Sequence, residues 1–331
     1  MSRKTDDKVK KKTSIGGQAL IEGVMMKGPH KTAMAVREPG GNITVEDFGG
    51  KALKEKYKIL GIPFLRGVIT FVESMTSGYK ALMRSAEISG MELEDEEPSK
   101  FEKKLTSIFG DKIFNFIMIL ASVLGIGLGF ALFMWLPSQL YDLALKIPGL
   151  PEGIGDKIIY RSVFEGVIKI VIFVCYIALC SQMKEIKRVF QYHGAEHKSI
   201  FCYEKGLPLT VENVMKQSRF HPRCGTSFLI LMLILGIIAG LFVPVFTTFK
   251  PVVNSLLRAL CKIAILPIVM GIGYELLKIC GRYDNFLTRI IATPGLWMQR
   301  LTTKEPAADQ IECAIASLEA VIPENEEDDK W

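Results

Sequence analysis

Residues 113–136 read IFNFIMILASVLGIGLGFALFMWL, a run of 24 residues without a charged side chain. A second uncharged run of 24, residues 226–249, reads TSFLILMLILGIIAGLFVPVFTTF. About 20 helical residues cross the hydrocarbon core of a bilayer, and uncharged runs of this length are rare in soluble folds. Both runs therefore predict transmembrane helices.

Two further segments, residues 162–183 and 255–281, are apolar apart from a few charges. Those charges are Glu165 and Lys169 in the first, and Arg258, Lys262, Glu275 and Lys278 in the second. Since intramembrane charges find partners, we expect Glu165 to pair with Arg258 or Lys262. Glu275 either pairs with Lys278 or points into a site. The sequence predicts an all-α membrane bundle of about four transmembrane helices.

The loops indicate the orientation of these helices. Residues 184–225 hold eight Lys and Arg, against three in residues 137–161 and one in residues 250–254. By the positive-inside rule the first of these loops is cytoplasmic, and so are both termini. Residues 1–12 lack the apolar core of a signal peptide, so the first span is expected to be an uncleaved anchor. The seven cysteines avoid the outer loops, which argues against a disulfide framework.

A small cytoplasmic α+β domain is predicted before the first span, in residues 14–104. Thr32–Arg37 and Ile43–Asp47 flank a Pro-Gly-Gly turn and predict a β-hairpin in this glycine-rich region. Pro63 opens an amphipathic helix that reaches about Ser89 and lies on the membrane or on the bundle. A charged linker, residues 92–104, leads to the first span.

The rest of the chain divides into four segments. Residues 1–13 form a basic start that is expected to be disordered. Residues 105–291 form the four-span domain with its cytoplasmic loop 184–225, and residues 292–322 form amphipathic helices. Residues 323–331 form an acidic tail, expected to be disordered from Glu324 onward. The sequence has no internal repeat, which argues against a secondary transporter.

Three of the four histidines lie in the cytoplasmic loop, and two of these fall within one helical turn. His193 and His197 are four residues apart, so both imidazoles can meet one ion from the same helix face. Glu196 flanks that face. The pattern His-x-x-Glu-His is that of inverted zinc peptidases, in which the glutamate is the general base.

The second element of the loop is His221-Pro-Arg-Cys224, a chelating spacing within a tight turn. It precedes the third predicted span, whereas His193 and His197 follow the second. A thiolate with three imidazoles is a good zinc set, so we predict His193, His197, His221 and Cys224 as ligands. The alternative is that these histidines are solvated or bind phosphate and lipid headgroups. His30 either joins the site or is an ordinary loop histidine.

Three stretches carry a family resemblance: GGQALIEGVMM at residues 16–26, YHGAEHK at residues 192–198 and HPRCGTSF at residues 221–228. Together they resemble the YqhQ-like family of bacterial membrane proteins of unknown function, over roughly Ser14 to Ala320. The resemblance implies a bacterial cytoplasmic membrane location. The family is often described as metal-dependent enzymes, but that description rests on the same histidines and is not independent evidence. Glu22, in the first stretch, is a further ligand, an acid/base group or a surface glutamate at the start of a hairpin.

Two functions remain open. In a zinc-dependent hydrolase, His193, His197 and a group from His221 or Cys224 would hold the metal. Glu196 would be the general base, and Glu22 a second candidate catalytic residue. In a non-enzymatic scaffold or biogenesis factor, all four ligands would close the site, and the basic loop would dock a partner. That partner would be lipid headgroups or a protein or ribonucleoprotein near a translocon; the bilayer is a partner in both cases, and no DNA is expected.

Overall fold

The computed structural model describes residues 11–49, 61–90, 112–148, 158–244, 246, 251–283 and 285–329. The predicted linker of residues 92–104 and most of the basic start lie outside these ranges. The chain forms two compact units. Unit one comprises Met1–Met91, Tyr176–Met232 and Met270–Trp331, and unit two comprises Glu92–Cys175 and Leu233–Val269.

Unit one contains a four-stranded antiparallel sheet in the order β1-β2-β3-β4. The strands are β1 (Gly16–Leu20), β2 (Gly23–Lys27), β3 (Thr32–Arg37) and β4 (Ile43–Asp47). The last two pair as the hairpin that the sequence predicts, with Arg37 opposite Ile43. The pairing of β1 with β2 corresponds to the hairpin start that the sequence leaves open for residues 16–26. The pattern does not decide it, because β2 is buried on both faces and lacks the alternation that marks a half-exposed strand.

The described helices follow one another along the chain. They are α1 (Leu65–Ile88), α2 (Lys112–Phe130), α3 (Leu136–Ala144), α4 (Ile158–Cys180), α5 (Lys184–Glu204), α6 (Val211–Met215), α7 (Gly225–Gly240), α8 (Pro251–Arg282), α9 (Phe286–Thr302) and α10 (Ala308–Glu319). A π-helical turn, Ala131–Trp135, joins α2 to α3. The helix expected from Pro63 to Ser89 corresponds to α1.

Helices cover both faces of the sheet in unit one. On one face, β2 contributes Val24 and Met26, and β3 contributes Ala33, to a buried cluster that includes Tyr192 of α5 and Leu318 of α10. On the other face, Leu20, Met25 and Met34 pack with Ala81 of α1. Ser317 of α10 also donates a 2.9 Å hydrogen bond to the Ala33 carbonyl. The sheet is therefore the core layer between α1 and the α5–α10 pair.

Three described helical stretches are long and apolar enough to cross a membrane: Leu120–Ala144, Ile158–Cys180 and Val253–Arg282. The helix α7 has only 16 residues. At 1.5 Å per residue it measures about 24 Å, less than the roughly 30 Å of a hydrocarbon core. The described residues thus support a membrane-associated protein, whereas the count of four spans is not confirmed.

Unit two contains the pairing expected for Glu165. The ammonium of Lys262 lies 2.5 Å from Glu165 Oε2, and Arg258 Nε lies 3.9 Å from Oε1. The Ser138 hydroxyl donates to Oε1 at 2.9 Å. Both predicted cations therefore pair with this buried carboxylate. The pairing explains why charged residues occur in these apolar segments.

The acidic tail is more ordered than expected. Glu326–Asp329 form a 3-10 turn, and Asp329 is buried. Its carboxylate accepts a hydrogen bond from the Thr13 hydroxyl and a 2.9 Å bond from the Tyr203 hydroxyl. Net charge alone predicts disorder here, but these hydroxyl partners fix the carboxylate between the beginning of the chain and α5.

Candidate metal site

His193 and His197 lie one turn apart on α5, as their spacing predicts. Their ring centroids are 4.4 Å apart. Between them, Gly194 faces the backbone that follows α9: a Cβ at this position would clash with the Lys304 carbonyl oxygen. The Lys304 amide donates to the Phe190 carbonyl at 2.8 Å. The glycine of the motif therefore allows a chain segment to lie directly against the histidine helix.

Two backbone carbonyls fix the orientation of the two imidazoles. Nδ1 of His193 lies 2.8 Å from the Thr302 carbonyl oxygen, and Nδ1 of His197 lies 2.5 Å from that of Arg219. A carbonyl only accepts hydrogen bonds, so each Nδ1 carries a proton, and Nε2 offers a lone pair whenever it has lost its own proton. Within the described part of the chain, Nε2 of His197 is buried without a hydrogen-bond partner.

Cys224 completes a three-residue cluster with these histidines. It lies immediately before α7, is 7% exposed, and places Sγ 3.2 Å from His193 Nε2. One donor atom from each of His193, His197 and Cys224 lies within 4.8 Å of the others. Two imidazoles and a thiolate are donors that zinc prefers, and an ion here would satisfy the unpartnered Nε2. The three residues thus fit a zinc-type ion.

The electrostatics of the cluster favour a thiolate. Burial would raise the pKa of Cys224, but the charges of His197 and His193 outweigh burial and hold this pKa well below its usual value. Burial would lower the pKa of His193, yet the neighbouring Cys224 raises it to about 9. Metals bind the deprotonated sulfur, so the site holds Cys224 in the form that a metal requires.

Glu196 lies beside the three ligands rather than among them. It is 5% exposed, and its Oε2 lies 4.0 Å from His193 Nε2. The Gly17 backbone hydrogen-bonds its carboxylate, and burial raises the pKa of Glu196 above the usual value. A Cβ on Gly17 would lie 2.9 Å from Glu196 Cγ, so the glycine lets β1 approach this side chain. The position suits a proton acceptor next to the cluster.

His221, the fourth predicted ligand, faces a different partner. Its Nε2 lies 3.4 Å from Glu204 Oε2, and Arg223 pairs with the same carboxylate. Burial lowers the pKa of His221 to about 4, despite the opposing effect of Glu204. The Gln299 side chain makes two hydrogen bonds to the His221 backbone: it accepts from the N–H at 2.8 Å and donates to the carbonyl at 2.7 Å. His221 is therefore placed to stabilise the turn that presents Cys224.

Three other candidates of the sequence analysis lie away from the cluster. Glu22 occupies the β1–β2 turn with φ +50° and binds the Arg188 guanidinium, and the Tyr192 hydroxyl donates to it at 3.2 Å. His30 is exposed, with Nε2 3.1 Å from Asp328 Oδ2. Glu275 accepts two hydrogen bonds from Arg66 of α1, at 2.7 and 2.5 Å. Each of these groups has a structural partner of its own.

A cavity of about 480 Å³ adjoins the cluster. His193, Glu196 and Cys224 form part of its wall, and side chains from α1, α7 and α8 form most of the remainder. No pattern in the sequence predicts that α1 and α8 line this cavity, because their positions depend on tertiary packing. The carbonyls of Thr302 and Arg219 were missed as well, because a backbone acceptor leaves no residue-type pattern. Gly17 and Gly194 were the available clues, since each marks a close approach.

Comparisons with known proteins agree with the family resemblance. Residues 62–324 match the family described as "Protein of unknown function (DUF1385)". The chain is similar to the Bacillus subtilis (strain 168) "Uncharacterized protein YqhQ", with 35% identity over 310 residues that cover 93% of this chain and 92% of that protein. No solved structure matches the chain. The chain therefore belongs to the DUF1385 family, the YqhQ-like proteins of unknown function.

Proposed function

We propose that this protein is a membrane-bound, metal-dependent hydrolase. His193, His197 and Cys224 would hold one zinc-type ion, with Glu196 as the general base. The observation that carries the proposal is the buried Nε2 of His197, which lacks a hydrogen-bond partner among the described residues and belongs to the three-residue cluster. A buried polar atom without a partner is costly, and a metal ion is the ligand that two imidazoles and a thiolate would take.

The number of protein ligands favours an enzyme over a scaffold. Structural zinc sites close with four protein ligands, whereas catalytic sites use three and leave one position open. Because His221 is engaged with Glu204, the cluster supplies three ligands. The adjacent cavity provides space for a substrate beside the open position.

The surrounding residues have separate roles in this proposal. A zinc ion would supply a Lewis acid for a carbonyl or phosphoryl group and would activate a water molecule. The carbonyls of Thr302 and Arg219 hold the two imidazoles in the ligating tautomer. The Gly17 backbone orients Glu196, and burial makes this carboxylate a stronger proton acceptor, as a general base near neutral pH requires.

A non-enzymatic scaffold would differ from the hydrolase in the number of protein ligands on the metal, which can be measured. Glu196 Oε2 lies 4.0 Å from His193 Nε2, so a modest movement would make Glu196 the fourth ligand. The site would then be closed, and the basic cytoplasmic loop would serve to dock a protein or ribonucleoprotein.

The metal content of the purified full-length protein tests the proposed site. We expect about one zinc per chain in the wild type and a loss of metal in His193→Ala. His30→Ala is the matched control, because His30 is exposed and pairs with Asp328. Wild-type protein without metal after purification in the absence of chelators would contradict the proposal. A spectroscopic cobalt substitution that reports four protein ligands would favour the scaffold.

We also propose four membrane crossings with both termini in the bacterial cytoplasm. In this topology α7 and the uncharged residues that follow it make the third crossing. Support comes from the uncharged run of residues 226–249 and from the eight basic residues of loop 184–225.

A further inference from the structure

We infer that the cavity beside the metal cluster takes an acyl-chain lipid from the bilayer, with the scissile group of the lipid against His193 and Cys224. This inference rests on the proposed function of the same site and names its substrate class.

The wall suits a hydrocarbon chain. Its large side chains include Phe71 and Met75 of α1, Phe228 and Leu229 of α7, and Leu277 of α8. Besides His193, Glu196 and Cys224, the polar side chains of the wall carry hydroxyl groups or, at Gln18, an amide. Among the described residues that line it, none is Lys, Arg or Asp, and Glu196 is the one carboxylate. Apart from the proposed metal, the wall therefore offers no Lys or Arg to bind a nucleotide or sugar phosphate, whereas an acyl chain requires only apolar contact.

The mouth of the cavity lies at an apolar surface. Met75 and Leu229 both line the cavity, yet they are 57% and 43% exposed. Along α1 the apolar stripe continues at helical spacing through Leu65, Val72, Tyr79 and Met83, all of which are exposed. An amphipathic helix with such a stripe is typical of an interfacial membrane segment. A lipid could therefore enter directly from the bilayer.

Two walls of the cavity belong to apolar helices, one of which is a candidate membrane span. Leu277 lies in the candidate span Val253–Arg282, and Leu229 lies in the uncharged helix α7. Hydrocarbon is thus the natural environment on this side, whereas the metal cluster lies in the polar loop. A ligand that occupies both must be apolar at one end and polar at the other.

The helix α1 is held against α8 so that the cavity is formed in advance. A Cβ on Gly67 would lie 2.7 Å from Tyr274 Cβ and 3.2 Å from Gly271 Cα, so the helices cross closely here. Arg66 clamps Glu275 with its two hydrogen bonds one residue away. Further along, the rings of Phe71 and Phe228 lie 6.0 Å apart between α1 and α7.

Photo-crosslinking in vesicles tests the inference. Full-length protein is reconstituted in phosphatidylethanolamine–phosphatidylglycerol vesicles that contain a trace of phosphatidylglycerol with a diazirine on one acyl chain. Labelled peptides are mapped by mass spectrometry, and metal content is measured on the same sample. We expect saturable labelling of the residues around Phe71 and Leu229, competed by unlabelled phosphatidylglycerol.

A pair of variants on one helix makes the test specific. Thr70→Trp fills the cavity, whereas Thr76→Trp adds the same ring at an exposed position that does not line it. Labelling of the cavity peptides should fall roughly tenfold in Thr70→Trp, because several buried methylene contacts are lost, and should persist in Thr76→Trp. Folding of both variants is checked by thermal denaturation, which does not depend on bound metal.

The outcomes separate this inference from the proposed function. Retained metal with equal cavity labelling in the two variants overturns the lipid inference and leaves the metal site standing. Labelling confined to the outer face of α1, around Tyr79 and Met83, shows only bilayer contact and also overturns it. Specific cavity labelling without bound metal overturns the proposed hydrolase but supports a lipid in the cavity.

Discussion

The carbonyl oxygen of Lys304 occupies the space that a side chain at Gly194 would need. This contact brings the residues after α9 against α5 and delivers the Thr302 carbonyl to His193. The glycine of the His-Gly-Ala-Glu-His motif is thus part of the site although it contributes no ligand.

Gly194→Ala should therefore damage the site without touching a ligand. The added methyl group forces the segment at Lys304 away from α5, and overpacking of this kind costs about 1–3 kcal/mol. We expect a lower thermal midpoint and weaker metal retention in purified protein. Gly225→Ala is the control, because a Cβ there meets no atom within 4 Å although it follows Cys224 directly. Equal metal retention in both variants would contradict the close-approach argument.

His197 and His221 should respond differently to removal. His197→Ala should abolish metal binding, because it deletes one of the three clustered donors. His221→Ala should retain the metal but lower thermal stability, since Glu204 and Arg223 lose a buried partner, at a cost of about 1–3 kcal/mol. Elemental analysis and thermal denaturation of the two proteins measure both effects. Loss of the metal in His221→Ala at unchanged stability would restore His221 as a ligand.

Substitutions of Glu196 and of Glu22, the two predicted catalytic carboxylates, should have different effects on function in cells. Glu196→Gln should keep the metal and the protein level yet abolish function, because general bases contribute about 10²–10⁴-fold in rate. Glu22→Gln weakens the pairing with Arg188 and should change stability more than activity. The measurement is complementation of a deletion strain with quantified protein levels. Full complementation by Glu196→Gln would contradict the hydrolase proposal.

Cysteine labelling in intact cells should report the topology. A cysteine at Gly153, in the predicted outer loop, should react with a membrane-impermeant maleimide. A cysteine at Lys216 should not react until the cells are permeabilised, although the Lys216 side chain is 63% exposed. Both variants are made in a background that lacks the native cysteines. Reaction at Lys216 from outside would reverse the proposed orientation.

Local patterns in the sequence were enough to predict part of this structure. The spacing of His193 and His197 defines a helix face by itself, and the uncharged runs define apolar helices. Composition was less informative about the length of each helix. Residues 226–249 are uncharged, but the helix α7 ends at Gly240, shortly before Pro244. Proline cannot continue the backbone hydrogen bonding of a helix, so the uncharged run exceeds the described helix.

Other parts of the site depend on distant residues and could not be predicted. Glu204 lies on α5, seven residues after His197, and pairs with His221, for which the spacing to Cys224 predicts a ligand role. Gln299, which grips the backbone of His221, is separated from it by 78 residues. Such contacts are set by how α9 packs on the loop, and no motif records that packing.

The contributions of the carboxyl-terminal residues impose an order on biosynthesis. The carbonyl that orients His193 belongs to Thr302, and Asp329 is buried against Thr13. A nascent chain that has completed its last apolar helix, α8, still lacks these groups. In the proposed topology its histidines would remain open to the cytosol until the final residues leave the ribosome. Under the proposed function, metal loading would therefore follow the synthesis of the membrane helices, and a premature stop codon beyond α8 would yield a protein without a finished site.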